Sequence, residues 1–298
     1  MSIPCNASAP AARPVTSDVT VVIATRNRCA ELRHTLAKLT SLPERPSVVV
    51  IDNGSTDRTG RAVTRHFPEV RLIALRRNHG AVARNAGVRR AKTRYVALSD
   101  DDSWWEEGSL RQAVDVLDAN PRLGLVAPRI LVGPQSAPDP TNEVMAASPL
   151  PRGDLPGPSV IGFLGCGTVI RRSAYLSVGG FSRLLFIGGE EQLLAYDLAA
   201  AGWPACYLPD IVARHHPSQL RQPPRRGYQF ARNRVLVGWL RRPVPVAARQ
   251  TARLARRAVG DLNAAHALGG AAIRLPAALA GRRILPPDIE ASVRLLGH

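Results

Sequence analysis

The chain has 298 residues, 45% of them hydrophobic, and a formal net charge of +17. That length buries a full core in one large or two modest domains. No run of about 18 uncharged apolar residues occurs, which predicts no membrane span, and the first residues lack the basic-then-apolar order of a signal peptide.

Residues 1–17 read as a disordered leader. The four cysteines (Cys5, Cys29, Cys166, Cys206) form no C-x-x-C pair. This argues against a zinc site or disulfide framework and predicts a cytoplasmic setting. VTVVIA (19–24) predicts a buried strand, followed by a helix with Leu32, Leu36 and Leu39 at helical spacing. SVVVID (47–52) predicts a second strand, after which Ser55 or Thr56 would cap a helix. VRLIAL (70–75) is a third strand, GAVARNAGVRRA (80–91) a helix and YVALSD (95–100) a fourth strand. Strands alternating with helices across short joints predict a mostly parallel, Rossmann-like α/β sheet with helices on both faces. A helix at about 107–119 and the strand LGLVAPRI come next, then a Pro-rich, weakly patterned loop at 131–158. A helix from about residue 190 and the stretch ACYLPDIVARHH close a domain spanning 18–220.

Residues 221–298 read as a basic, mostly helical extension. Between 221 and 283 it holds 14 arginines and a single acid, Asp261. Arg249, Arg253 and Arg256 recur at helical spacing, with Arg225, Arg226, Arg241 and Arg242 adding charge. Such a face suits weak contact with an anionic membrane surface, since its apolar side (Val246, Leu254, Val259) is thin. Few aromatic residues (5%) argue against a nucleic-acid partner.

Three polar clusters fall at predicted strand ends: Thr25-Arg26-Asn27, Asp52-Asn53-Gly54-Ser55 and Asp100-Asp101-Asp102. Parallel strands would bring all three to the carboxyl edge, where open sheets bind ligands. A helix-capping turn is the plainer reading of LSDDDSWW taken alone; the shared edge favours a ligand site. In an extended D-x-D, Asp100 and Asp102 share a side and Asp101 turns away or toward the sheet. Such carboxylates suit Mg2+ or Mn2+ carrying a phosphate. No Gly-rich phosphate loop opens the first helix, so a diphosphate would be neutralised mainly by metal.

The segments VTVVIATRNR, IDNGSTD, NHGAVARNAG, LSDDDSWWEEGSL, GGEEQLLAYDLAAAGW and PDIVARHH, in this order over residues 18–218, resemble the inverting family-2 glycosyltransferases of GT-A fold. The resemblance implies metal-dependent transfer of a sugar from a nucleotide-diphosphate (NDP) sugar to an acceptor hydroxyl, with Mn2+ or Mg2+ as cofactor. It places Thr25 and Asp52 on the base, and Arg84 and Asn85 on base and sugar. Asp100 falls near ribose and donor sugar, and Asp102 on the metal with Asp100 and His215. Arg26, Asn27, Asn53 and Asp101 lie in the same nucleotide-sugar motifs. Glu191, beside Glu190, stands where the family has the Asp of a Glu-Asp pair, the general base. Leu193 replaces an acid of many relatives, a change expected to alter acceptor preference. The acceptor stays open among a saccharide, a lipid-linked intermediate and a small natural product. The rival readings are a nucleotidyltransferase, whose Gly-rich loop ATRNRCAEL lacks, and a nucleic-acid- or membrane-binding protein with an α/β scaffold.

Overall fold

The run VTVVIAT forms β1 (Val19–Thr25), whose side chains alternate between two apolar layers: Val19, Val21 and Ile23 in one, Val22 in the other. Leu32, Leu36 and Leu39 bury one face of α1 (Cys29–Thr40). β2 (Ser47–Asp52), α2 (Thr59–His66) and β3 (Arg71–Ala74) follow. A 3-10 turn (Gly80–Ala83) leads into α3 (Arg84–Arg90), so the helix expected at 80–91 begins in a tighter form. The first half ends with β4 (Tyr95–Ser99), the short β5 (Ser103–Trp105) and α4 (Ser109–Ala119). The computed structural model describes residues 18–218 and 224–297, with side chains from 227 in the second stretch. The leader expected at 1–17 and the side chains of Arg225 and Arg226 lie outside the described residues.

β6 (Leu125–Val132), β7 (Ala137–Pro138), α5 (Pro140–Ala146), β8 (Gly167–Arg171), α6 (Arg172–Ser177), α7 (Glu190–Ala200) and β9 (Ala205–His215) complete the sheet half. The sheet order is β3-β2-β1-β4-β8-β6-β9-β5, with β7 beside β6. β3, β2, β1 and β4 are mutually parallel, β8 runs against both its neighbours, and β5 runs against β9. The strand ends therefore align: Thr25 is in register with Asp52, and Ile23 with Ser99.

Two expectations change locally. Ser55 and Thr56 do not cap α2, whose N-cap position is Arg58 with no side-chain cap bond; Asp57 before it accepts from the Thr59 N–H at 2.9 Å, while Thr56 N–H donates to Asn27 Oδ1 at 2.8 Å. The 131–158 stretch is not structureless. Asp139 caps α5 by accepting from Thr141 N–H, with Pro140 at the first helical position. Asn142 then bonds both the N–H and the C=O of Ile130.

The extension consists of α8 (Pro224–Arg241), α9 (Val244–Ala258), α10 (Leu262–Ala280) and α11 (Pro287–Leu295). Leu236, Leu240 and Leu254 join the apolar layer that also covers α7. Arg241 and Arg242 do not belong to an exposed basic face. Both are buried, Arg241 against Asp197 of α7 and Arg242 against Glu290 of α11 at 2.7 Å, and each carboxylate offsets the removal of its guanidinium from water. Leu254 is likewise core rather than surface.

Candidate active site

Between β4 and β5 the chain turns rather than staying extended, and Asp101 parts from Asp100 and Asp102. Asp100 donates its N–H to Ser103 Oγ at 2.7 Å, and Ser103 in turn donates to the Cys166 carbonyl at 2.6 Å. Asp101 turns toward the sheet, where its carboxylate accepts from Thr25 Oγ1 at 2.8 Å and its carbonyl from Thr35 Oγ1 at 2.9 Å. Burial, then the neighbouring Asp100, push the Asp101 carboxyl up to about 7 against the Thr25 bond that lowers it. Asp102 is buried and accepts from the Ser218 N–H at 3.0 Å.

β9 brings the third donor. Its register against β5 pairs His215 with Ser103 and sets His215 Nε2 3.3 Å from Asp102 Oδ1. Asp100, Asp102 and His215 each offer one atom to a cluster whose atoms lie within 4.8 Å of one another. Two carboxylate oxygens and an imidazole nitrogen fit Mn2+, and its oxygen share also fits Mg2+. Trp104 packs edge-on between His34 and His216, and Trp105 is buried with its indole N–H on Ser99 Oγ; both rings serve packing here.

The other strand-end residues divide into two groups. Asp52 stands beside Thr25, accepts from Ser55 N–H at 2.8 Å, and has Gly60 so close that a Cβ there would meet its Oδ2 at 2.8 Å. Arg26 is exposed and reaches the Gly54 carbonyl at 3.4 Å. Asn27, Asn53 and Asn85 build loops. Asn27 holds a left-handed φ of 53° and braces Thr56. Asn53 accepts from His79 N–H and donates to Asn78 and to the Gly80 carbonyl. Asn85 is buried, accepting from Tyr175 and from Phe181 N–H and donating to the Phe181 carbonyl.

Arg84 joins the two halves of the site. Its guanidinium contacts the Asp100 carboxylate and lies in the field of Glu191 and Glu190. Burial opposes its charge, but these acids outweigh burial and raise its pKa. At the start of α7, burial and then Glu191 push the Glu190 carboxyl up to about 8. Glu191 is also raised, first by burial and further by Asp100, with Arg84 opposing. Among the described residues Glu190 is buried with Oε2 lacking a hydrogen-bond partner, whereas Glu191 is part-buried. Gly165 makes room for it: a Cβ there would meet Glu191 Oε1 at 2.8 Å. Leu193, the departure expected to alter acceptor preference, is 2% exposed and packs in the core.

Motif reading missed the supports of the Glu pair. The preceding loop holds left-handed backbone at Phe186 (φ 67°), Gly188 (φ 89°) and Gly189 (φ 82°). From α8, Asn233 Nδ2 donates to the carbonyls of Leu185 and Ile187, both at 2.9 Å, and of Gly188, while Arg232 donates to Leu185 at 2.8 Å. From the other side Ala81 N–H donates to the Phe186 carbonyl at 2.7 Å. The Gly-Gly pair before Glu190 is a signal that could have given the left-handed turn; an Arg-Asn pair in an Arg-rich tail carried none.

Residues 20–179 match the family "Glycosyl transferase family 2". The chain is 29% identical over 240 residues to the N-acetylglucosaminyl-diphospho-decaprenol L-rhamnosyltransferase of Mycobacterium tuberculosis, covering 68% of this chain and 77% of that protein. It is 30% identical over 221 residues to the pre-mycofactocin glycosyltransferase of the same organism, covering 71% of this chain and 46% of that protein. Among solved structures, the mannosyltransferase PcManGT from Pyrobaculum calidifontis, in complex with GDP-Man and Mn2+, is similar in fold with a TM-score of 0.56. The identity is 24%, and the match covers 96% of this chain and 88% of that one.

Proposed function

The chain belongs to glycosyl transferase family 2, and from that premise we propose that it moves a sugar from an NDP-sugar to an acceptor hydroxyl with inversion at the anomeric carbon. Family membership decides against the nucleotidyltransferase and scaffold-only readings. The observation that carries the proposal is the meeting of two groups at one sheet edge. The Asp100–Asp102–His215 cluster lies on one side, the Glu191 carboxylate on the other, and Arg84 is in the field of both.

Asp100, Asp102 and His215 would hold a divalent cation, Mn2+ or Mg2+, which when bound neutralises charge on the diphosphate. Thr25 and Asp52 line the nucleotide side, with Arg26 at its exposed margin. Glu191 accepts the proton of the acceptor hydroxyl. The freed oxygen bonds to the anomeric carbon while the bond from that carbon to the diphosphate oxygen breaks, its electron pair leaving with the NDP. Arg84 keeps a positive charge beside Asp100 and Glu191, which favours the ionised base. Glu190 is buried beside it.

A lipid-linked acceptor is the favoured class, on the likeness to a relative named for a diphospho-decaprenol acceptor. Contact of the exposed Arg249, Arg253 and Arg256 with an anionic membrane surface, at a cytoplasmic location, belongs to the same proposal. Incubation with a panel of NDP-sugars and Mn2+ or Mg2+, read as released nucleotide, tests the donor step. Metal-dependent release from one donor is expected; release from none, or release indifferent to chelation, rejects it. The anomeric coupling constant of the product reads the inversion.

A further inference from the structure

Large apolar side chains that stand exposed are concentrated in one part of the molecule. Among the described residues, eight of nine belong to α8–α11 and their joints, including Val259 (91% exposed), Leu262 (81%) and Ile273 (80%). Helix α10 explains the concentration. It buries Ala264, Ala267, Ala271 and Ala278 against its neighbours and turns Leu262, Ala265, Ala272, Ile273, Pro276 and Leu279 outward. With exposed Gly269 between them, these lie within about 120° of the helix circumference, one stripe along about 26 Å of helix. Arg274 is the single charged residue within α10, and it turns back to the Gly270 carbonyl at 3.1 Å. A helix that faces water normally carries charge there, and a continuous apolar face of this size marks an interaction surface.

Helix α9 joins α10 through Val259, Gly260 and Asp261 and packs on it. Its exposed positions include Arg249, Arg253, Arg256 and Arg257; among the described ion pairs only Arg257 meets an acid, Asp261 at 3.6 Å. A helix whose exposed stripe carries no Asp, Glu, Lys or Arg thus packs against one with a basic exposed face, Asn263 and His266 being the polar side chains exposed on the former. Among the described residues no helix is long and apolar enough to cross a membrane.

We propose that α9 and α10 form a membrane seat. Helix α10 lies in the plane of an anionic bilayer surface with Leu262, Ile273 and Leu279 at the acyl boundary, and the α9 arginines meet the headgroup phosphates. A lipid surface is favoured over a second copy of the chain because each copy carries +17; pairing two such faces sets arginines against arginines, whereas anionic lipid complements them. The seat deepens the basic contact proposed above into an inserted apolar helix. Its test needs neither donor nor acceptor, so it can fail independently of the transfer reaction.

Flotation of the full chain with phosphatidylglycerol-containing and pure phosphatidylcholine vesicles tests the proposal. Recovery with the anionic vesicles is expected. Arg253→Gln should weaken the partition constant about fivefold, and Ile273→Glu about tenfold or more. Both sites are exposed; Ile273→Ser, which adds no charge, should weaken binding in the same direction with unchanged circular dichroism. Equal recovery from neutral and anionic vesicles overturns the proposal, as does binding indifferent to both position-273 variants. So does a solution dimer that Ile273→Glu dissociates while the wild-type chain leaves vesicles unbound.

Discussion

The side-chain amide of Asn233 reaches across 46 positions to the carbonyl of Ile187, 2.9 Å away. Through this bond and those to Leu185 and Gly188, the first helix of the extension holds the loop that delivers Glu190 and Glu191. Phe186 adopts left-handed backbone there without being glycine, a conformation that persists only when neighbours enforce it. Asn233→Ala would orphan buried carbonyls, at a cost of about 1–3 kcal/mol in stability. Misplacement of the base should lower kcat by up to about 100-fold with donor affinity kept. Turnover measured beside calorimetric donor binding separates the two; equal loss in both would make Asn233 a purely structural residue.

Glu191→Gln should retain metal-dependent donor binding and lose turnover by on the order of 10²- to 10⁴-fold. Glu190→Gln, at a buried position, should retain more activity. Steady-state rates of both variants decide the matter, and the reverse order of damage moves the base to Glu190.

Asp102→Ala should remove the metal-dependent part of nucleotide affinity, since Asp102 is the acid that His215 also approaches. Titration calorimetry with UDP or GDP, each with and without Mn2+, reads this directly. Unchanged metal dependence in the variant with both nucleotides would exclude Asp102 from the cation site.

The raised carboxyl pKa values set two pH responses of known sign. A general base works ionised, so kcat/KM should fall as pH drops through the raised pKa of Glu191, placing the acid limb above the ordinary value of 4.5. Glu190 has a folded pKa of about 8 against 4.5, so the folded state binds more protons across that window. Its contribution to stability is therefore present below the unfolded value and lost as pH rises toward 8. Glu190→Gln should melt higher than the wild-type chain at pH 8 and differ less at pH 5. A uniform shift across pH would contradict the burial argument.

Much of the sheet half was readable because strands covered on both faces appear as continuous apolar runs, as in VTVVIAT and SVVVID. The edge position of Asp52 and Asp100 followed from their place after those runs. What escaped reading depends on distant partners. β5 exists because β9 returns to it more than a hundred positions later. Arg241 and Arg242 look like surface charge until Asp197 and Glu290, 44 and 48 positions away, are brought against them. The apolar face of α10 was hidden for a different reason: its small residues split between a packed side and an exposed one, and alanine gives no hint of which is which.

The pairing of Arg241 with Asp197 bears on how such a chain could be cut or recombined. Asp197 lies on α7, the helix that begins with Glu190 and Glu191. A catalytic half ending at Ser218 would leave that carboxylate facing a bared apolar surface without its counter-ion, and the loop before Glu190 without its amide. The sheet half is therefore not a portable module. An exchange of tails between related enzymes would keep its activity only if the incoming helix carried matching partners for Asp197 and for the carbonyls of Leu185, Ile187 and Gly188.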